Sequence, residues 1–238
     1  MKKQAIWKKQ LMQEILPNVY CLEGSVNIFL FVEEDGLTLV DAGYPRSEKK
    51  VFAAIQSLGH QPSDVKRILV THADIDHVGS LAVIQAATGA TVITSKEAAG
   101  YIENGRSPEH LPAPLQWLAN NVFKSKPVPN DTVQLCQDGD ELPLLGGLQV
   151  MATPGHTVDH HSFYSPSLGL LFAGDALRTD NGLTLSPKRI NANQEQATHS
   201  AIKLLELTPA VFACGHGEPM QNHSSDDIMM LFNKLRLS

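Results

Sequence analysis

The chain has 238 residues, 42% of them hydrophobic, and a formal net charge of −6. That length supports one domain with a sizeable core, and no Pro/Gly/Ser-rich linker interrupts residues 1–238, so a single domain is expected. Its Lys and Arg residues are scattered rather than clustered, which argues against a track for nucleic acid.

Residues 1–17 form an N-terminal segment in which Ile6, Trp7, Leu11, Ile15 and Leu16 recur at helical spacing. Lys8, Lys9 and Gln10 break the apolar run, so neither a signal-peptide core nor membrane insertion is expected, and the stripe is predicted to pack on its own domain. Cys21, Cys136 and Cys214 are widely spaced and make no Cys-x-x-Cys pair; they read as core thiols of a reduced, cytoplasmic protein.

After Pro17 the pattern predicts strands over Val19–Leu22, 27–32 and 37–40, with Glu34-Asp35-Gly36 as a turn. A helix over 47–58, closed by Gly59, leads to a strand over 67–70, and a second helix over 78–87 leads to a strand over Thr91–Thr94. Between residues 102 and 131 the rhythm fails. There Pro108, Pro112, Pro114, Pro127 and Pro129 interrupt Leu111, Leu115, Trp117, Leu118, Val122 and Phe123. Such an insertion either shapes a substrate pocket, with Trp117 and Phe123 facing substrate, or packs as a surface helix. Strands follow over 132–135, 148–153, 162–164 and 170–173, then a helix over 193–207 and a last strand over Val211–Cys214. Strands buried beneath helices on both sides predict an α/β fold, with two packed sheets and outer helix layers.

The run Thr71-His72-Ala73-Asp74-Ile75-Asp76-His77-Val78-Gly79 places two imidazoles and two carboxylates within six positions, directly after the apolar Ile68-Leu69-Val70. Side chains alternate along an extended strand end, so His72, Asp74 and Asp76 can converge while the turn redirects His77 toward a second point. Asp and His at strand ends also cap helices, and Asp76 could cap one beginning near Val78. The pattern nevertheless repeats: His156 follows Thr153-Pro154-Gly155, Asp175 follows Phe172-Ala173-Gly174, and His216 follows Cys214-Gly215. His60, His110, His199 and His223 have no motif neighbours and read as solvent or core residues.

In these residues the chain resembles the metallo-β-lactamase-fold superfamily, whose signature is His-x-His-x-Asp-His followed in order by Gly-His, Gly-Asp and Gly-His. The resemblance spans about Val19 to Pro219 and includes the strand end Leu39-Val40-Asp41-Ala42-Gly43. It implies an αββα sandwich of two mixed β-sheets flanked by outer helices. It also implies a first metal position of His72, Asp74 and His156, a second of Asp76, His77 and His216, and Asp175 bridging the two. Asp41 and His160 would orient ligands without touching metal.

The departure is Asp74, a carboxylate where the family carries its second histidine, giving His-x-Asp-x-Asp-His. Two divalent ions are then offset by Asp74, Asp76, Asp175 and one hydroxide, leaving no net inner-shell charge and a weaker Lewis acid. Zinc is the ion the family implies, and manganese or iron gains ground because the added oxygen donor is hard. A single ion held by the second group alone is the other reading of Asp74.

The expected activity is that of a dinuclear-metal-dependent hydrolase. A hydroxide shared by the ions would attack an ester-like bond, as in a lactone, thioester or carboxylic ester of a small molecule, with Asp76 shuttling the proton. Glutathione-thioester hydrolases of the superfamily use a basic C-terminal extension, and the residues after the last ligand here include only Lys234 and Arg236 as basic groups, so that subgroup is expected to fit poorly. Di-iron oxidoreductase-like chemistry and phosphodiesterase activity are the alternatives on the same scaffold. The partners expected are a small-molecule substrate and, compatibly, a second copy in a homodimer, with no nucleic acid and no membrane.

Overall fold

Alternating side chains on short apolar strands give each sheet two faces to bury, and the fold satisfies both. The computed structural model describes residues 12–221 and 225–237. One seven-stranded sheet runs in sequence order: β1 (Gln13–Leu16), β2 (Val19–Leu22), β3 (Ile28–Glu33), β4 (Gly36–Val40), β5 (Val65–Leu69), β6 (Thr91–Thr94) and β7 (Val133–Leu135). The first four strands pair antiparallel and the rest parallel, because helical crossovers separate them. Those crossovers are α1 (Glu48–Ser57), the single turn α2 (Ile75–Val78), α3 (Leu81–Thr88), α4 (Lys96–Asn104) and α5 (Ala113–Asn121).

The second sheet has the order β14-β11-β10-β9-β8, built from β8 (Glu141–Leu142), β9 (Leu148–Ala152), β10 (His161–Ser165), β11 (Leu170–Gly174) and β14 (Val211–Cys214). A ribbon of β12 (Leu177–Arg178) and β13 (Thr184–Leu185) leads to α6 (Gln194–Leu205), which returns the chain so that β14 lies parallel to β11. Helix α7 (Ser225–Arg236) covers the same outer face, burying Ile228, Leu231 and Leu235.

Three apolar clusters record the layers. On β3, Ile28 and Leu30 point out beneath α1 and α3, while Phe29 and Phe31 point between the sheets. There they meet Phe172 of β11, with ring centroids 5.4 and 6.1 Å apart. The third cluster joins β11 and β14 to α6 and α7. The αββα sandwich of two mixed sheets is therefore borne out.

Three local expectations change. Residues Gln13–Leu16 form a strand rather than continuing a helix: Ile15, 4% exposed, fills the inter-sheet core while its backbone pairs with β2. The rest of the predicted stripe, Ile6, Trp7 and Leu11, lies outside the described residues. The helix predicted over 78–87 is broken at Gly79 and Ser80 into α2 and α3, and Ser80 is tied there to the start of α1, its Oγ accepting the Ser47 N–H at 2.9 Å. The proline-rich insertion is helical at its centre, since Pro112 caps α5 and Pro114 lies in its first turn, where a missing N–H costs nothing. Among the described residues no helix is long and apolar enough to cross a membrane.

Candidate metal centre

Parallel pairing brings the C-terminal ends of β4 and β5 to one edge, and that of β11 and β14 does the same across the sandwich. The loops after β5, β9, β11 and β14 carry His72 to His77, His156, Asp175 and His216 to that shared edge. Asp74 stands at the N-cap of α2 but makes no side-chain cap bond; its backbone carbonyl closes the turn instead, accepting N–H from His77 and Val78. Its carboxylate is thereby left to face the centre, and the turn sends Asp76 and His77 to the other side.

Three sets of donor atoms converge, each within 4.8 Å: His72, Asp74 and His156; His72, His77 and Asp175; and Asp76, His77 and His216. Asp175 faces both ends. Its Oδ1 lies 3.3 Å from His77 Nε2, and its Oδ2 lies 3.2 Å from His216 Nε2 and 3.7 Å from His156 Nε2. The seven residues named from the motif thus meet at one place.

The hydrogen bonds around the rings decide which nitrogen faces inward. His77 Nδ1 donates to Asp41 Oδ2 at 2.7 Å, His216 Nδ1 to the Ser25 carbonyl at 2.6 Å, and His156 Nδ1 to Asn191 Oδ1 at 3.4 Å. Thr71 gives its hydroxyl proton to Asp41 Oδ2, so its oxygen accepts from His72 Nδ1 at 3.0 Å. With Nδ1 occupied as donor, each neutral ring turns an Nε2 lone pair to the centre.

Buried polar atoms normally find partners. Here Nε2 of His72, His77 and His156 and one carboxylate oxygen each of Asp74 and Asp175 are buried with no hydrogen bond. Five orphaned donor atoms spread over these overlapping sets are what bound cations would satisfy, and the mixed imidazole–carboxylate set suits divalent ions. The two ends form a dinuclear divalent-metal site.

Charge is balanced locally. Burial opposes ionisation of Asp74 and Asp175, yet the imidazoles against them hold both carboxyls well below the usual range. Burial likewise opposes a charged His77, but Asp41, Asp175 and Asp76 raise it well above the ordinary value. His216 is pushed up to about 9, as Asp175 and Asp76 outweigh its burial. Protons occupy these rings in the absence of metal and must leave when metal binds.

The surrounding residues keep the ligands in place. Asp41 accepts three bonds, from His77 Nδ1, the Thr71 hydroxyl and the Thr71 N–H at 2.7, 2.8 and 2.9 Å. His160 Nε2 accepts the Asp175 N–H at 2.9 Å while Nδ1 donates to Thr153 at 2.8 Å, and burial beside His72 and His156 keeps the ring neutral. Asn27 holds the last loop by donating to the carbonyls of Cys214 and Gly217 at 3.0 and 2.6 Å. Asp159 is fully buried and accepts the Ala73 N–H at 2.8 Å, so it braces the metal loop. Glycine is required at 174, where φ is +52° and a Cβ would lie 2.5 Å from His160 Nε2.

A cavity of about 260 Å³ opens over the centre, lined by Tyr44, Ile75, His110, Leu111, Ala119, Arg178 and Ile190 together with the ligands. Trp117 and Phe123 are not among its lining residues; they are 61% and 57% exposed, because α5 turns Ala119 inward and Trp117 outward. His110, read from the sequence as a solvent or core residue, instead lies with its Nε2 3.1 Å from Asp74 Oδ2. The available signal was Asp74 itself, a carboxylate displacing an imidazole while another histidine waited in the insertion. His60 pairs with Asp64 at 3.3 Å, His199 lies on α6, and His223 is outside the described residues. Cys21, Cys136 and Cys214 are free and buried, and burial pushes the Cys136 thiol up to about 12.

A layered fold with paired carboxylate–imidazole clusters at one sheet edge defines a metal-dependent hydrolase. The chain belongs to the metallo-beta-lactamase superfamily, whose family model matches residues 22–216. It is 29% identical over 230 residues to the uncharacterized protein YobT of Bacillus subtilis, covering 93% of this chain and 92% of that one. It is also 29% identical over 177 residues to a hydroxyacylglutathione hydrolase of Idiomarina loihiensis, covering 74% of this chain and 53% of the relative. Among solved structures, the Rm3 metallo-beta-lactamase superposes with a TM-score of 0.69 at 26% identity, covering 87% of this chain and 78% of that one.

Proposed function

We propose that the chain hydrolyses an ester-like bond of a small molecule, a lactone, thioester or carboxylic ester, at the dinuclear site. The observation that carries this reading is the facing pair of clusters with Asp175 between them, beneath a cavity sized for a compact acyl group. A pair of divalent ions held by His72, Asp74, His156, Asp76, His77, His216 and Asp175 would supply Lewis acidity and a water of lowered pKa. Zinc is the family's ion, and the hard oxygen of Asp74 favours manganese or iron beside it.

The remaining chemistry belongs to the side chains. Asp76 stays ionised, because His77 and His216 outweigh its burial, and as the most exposed of the carboxylates in the centre it accepts the proton of attacking water and returns it to the leaving group. Tyr44 lines the cavity with its hydroxyl kept protonated by burial and by Asp76, and is suited to donate to a substrate oxygen. Arg178 lies beside Asp175 and Asp180 on the cavity wall, while Leu111, Ala119 and Ile190 exclude water from an acyl group. The hydroxyacylglutathione hydrolase named above, of which the chain covers 53%, keeps a thioester among the candidate bonds, with the glutathione moiety itself the less expected part. The three reduced, buried thiols fit a cytoplasmic setting, and the net negative charge fits a small-molecule substrate rather than nucleic acid.

Apo-protein reconstituted with zinc, manganese, iron or cobalt should cleave at least one member of a lactone and thioester panel. Asp76→Asn should lower kcat by about 10²-fold or more. A response confined to a phosphodiester, or oxygen turnover without hydrolysis, would overturn the proposal.

A further inference from the structure

We propose that His110 is a metal ligand, adding a third imidazole to the position held by His72, Asp74 and His156. The inference rests on the dinuclear reading above and extends its ligand set into the insertion.

Three Nε2 atoms surround one carboxylate oxygen. Asp74 Oδ2 lies 3.1 Å from His110, 3.3 Å from His156 and 3.5 Å from His72. Donors about 2.0–2.2 Å from a tetrahedral ion stand roughly 3.3–3.6 Å from one another. The separations that end on Asp74 are close to one edge of such a tetrahedron, and an ion would draw the His110 Nε2, which stands outside the set of His72, Asp74 and His156, in toward them. The His110 side chain is 2% exposed, and its ring stands 5.1 Å from that of His156, the same centroid distance that separates His72 from His156.

The tautomer points the same way. His110 Nδ1 donates to the Pro108 carbonyl at 3.2 Å, so the neutral ring carries a lone pair on Nε2. A lone pair 3.1 Å from an acceptor-only carboxylate is repulsive unless a cation lies between the two atoms. The competing explanation is an imidazolium paired with Asp74, which needs no metal.

The loop is also built to hold the ring. Gln116 Oε1 accepts the N–H groups of His110 and Leu111 at 3.0 and 3.1 Å, and Asn120 Oδ1 accepts the Ser107 N–H at 3.0 Å. Both amides project from one face of α5, one turn apart, so the helix of the insertion clamps the segment between Ser107 and Leu111. Preorganisation of this kind is expected of a ligand-bearing loop.

The test uses the full chain. Protein carrying heavy-nitrogen histidine and loaded with spin-active cadmium should show five Nε2 resonances split by direct cadmium coupling, from His72, His77, His110, His156 and His216. In zinc competition against a chelator, His110→Ala and His110→Gln should weaken one of two ions by at least about 10-fold and leave the other unchanged. Gln116→Ala, which keeps the ring but frees the loop, should weaken the same ion by less. Four split resonances in the wild type, or unchanged affinities in both His110 variants, would overturn the proposal and leave the dinuclear reading standing. A wild type that binds fewer than two ions would overturn both. The wild-type spectrum decides the matter even where a variant does not fold.

Discussion

Asp41→Asn isolates the hydrogen bonding that orients His77, because the side chain keeps its shape and loses only its second oxygen. The residue sits at φ +63°, a conformation Asn tolerates as well as Asp, so no backbone strain confounds the change. Asp41 accepts from three donors, and one amide cannot serve them all. With the amide oxygen toward Thr71 N–H, the NH2 group confronts His77 Nδ1, and the ring must shift its proton to Nε2, the atom that binds metal. With the oxygen toward His77, the NH2 group meets the Thr71 N–H at about the 2.9 Å now separating that nitrogen from Oδ1, and a buried donor is left unpaired. Either orientation forfeits at least one bond to a charged acceptor, worth about 1.5–3 kcal/mol. Loss of a partner that orients a ligating histidine typically costs about 10–100-fold in metal affinity, or roughly 1.4–2.7 kcal/mol. Chelator-competition titration should therefore show the ion at Asp76, His77 and His216 weakened by about that factor, with the other ion little changed. A folded Asp41→Asn protein with unaltered affinity for both ions would refute the role assigned to this network.

Metal affinity should rise with pH up to about 9, the point to which His216 is held in the metal-free protein by Asp175 and Asp76 against its burial. Below that pH a proton occupies the ring and competes with the ion, so affinity should fall by up to about ten-fold per unit from this group alone, with protons released on binding; a flat profile between about pH 7 and 9 would be inconsistent. Gly215→Ala places a methyl group against Asp175 Oδ1 and 2.8 Å from His77 Cε1, so it should lower stability by about 1–3 kcal/mol and reduce metal content, read by denaturant melts and elemental analysis. Truncating the exposed Trp117 or Phe123 to Ala should leave KM within about two-fold, as expected of a surface change worth under about 0.5 kcal/mol. A ten-fold rise in KM, on the order of 1.4 kcal/mol, would bring those rings onto the substrate after all.

The residue order alone carried most of the strands and the ligand-bearing loops, but not β1, β8, β12 or β13. Val19–Leu22, Thr91–Thr94 and Val211–Cys214 begin and end where apolar, β-branched residues give way to turn formers, and the strands fall there in the structure. Strand-end histidines and aspartates were equally legible, since a short apolar strand followed by Gly-His or Gly-Asp is a local pattern. Tertiary packing decided the rest. Ile15 belongs to a strand because β2 offers it an open edge, and the helix that Pro112 starts buries only Ala119 and is held by the bonds of Gln116 and Asn120 to the loop before it, neither of which a window of neighbours reveals. His110 reaches Asp74 only because α5 folds back and clamps its loop, bringing together side chains 36 positions apart. The inward Nε2 of each ring likewise depends on acceptors remote in the chain: Asp41 for His77, and Ser25 for His216. Periodicity encodes what a residue's own neighbours bury, whereas a metal site depends on which distant groups the sheets bring to the same edge.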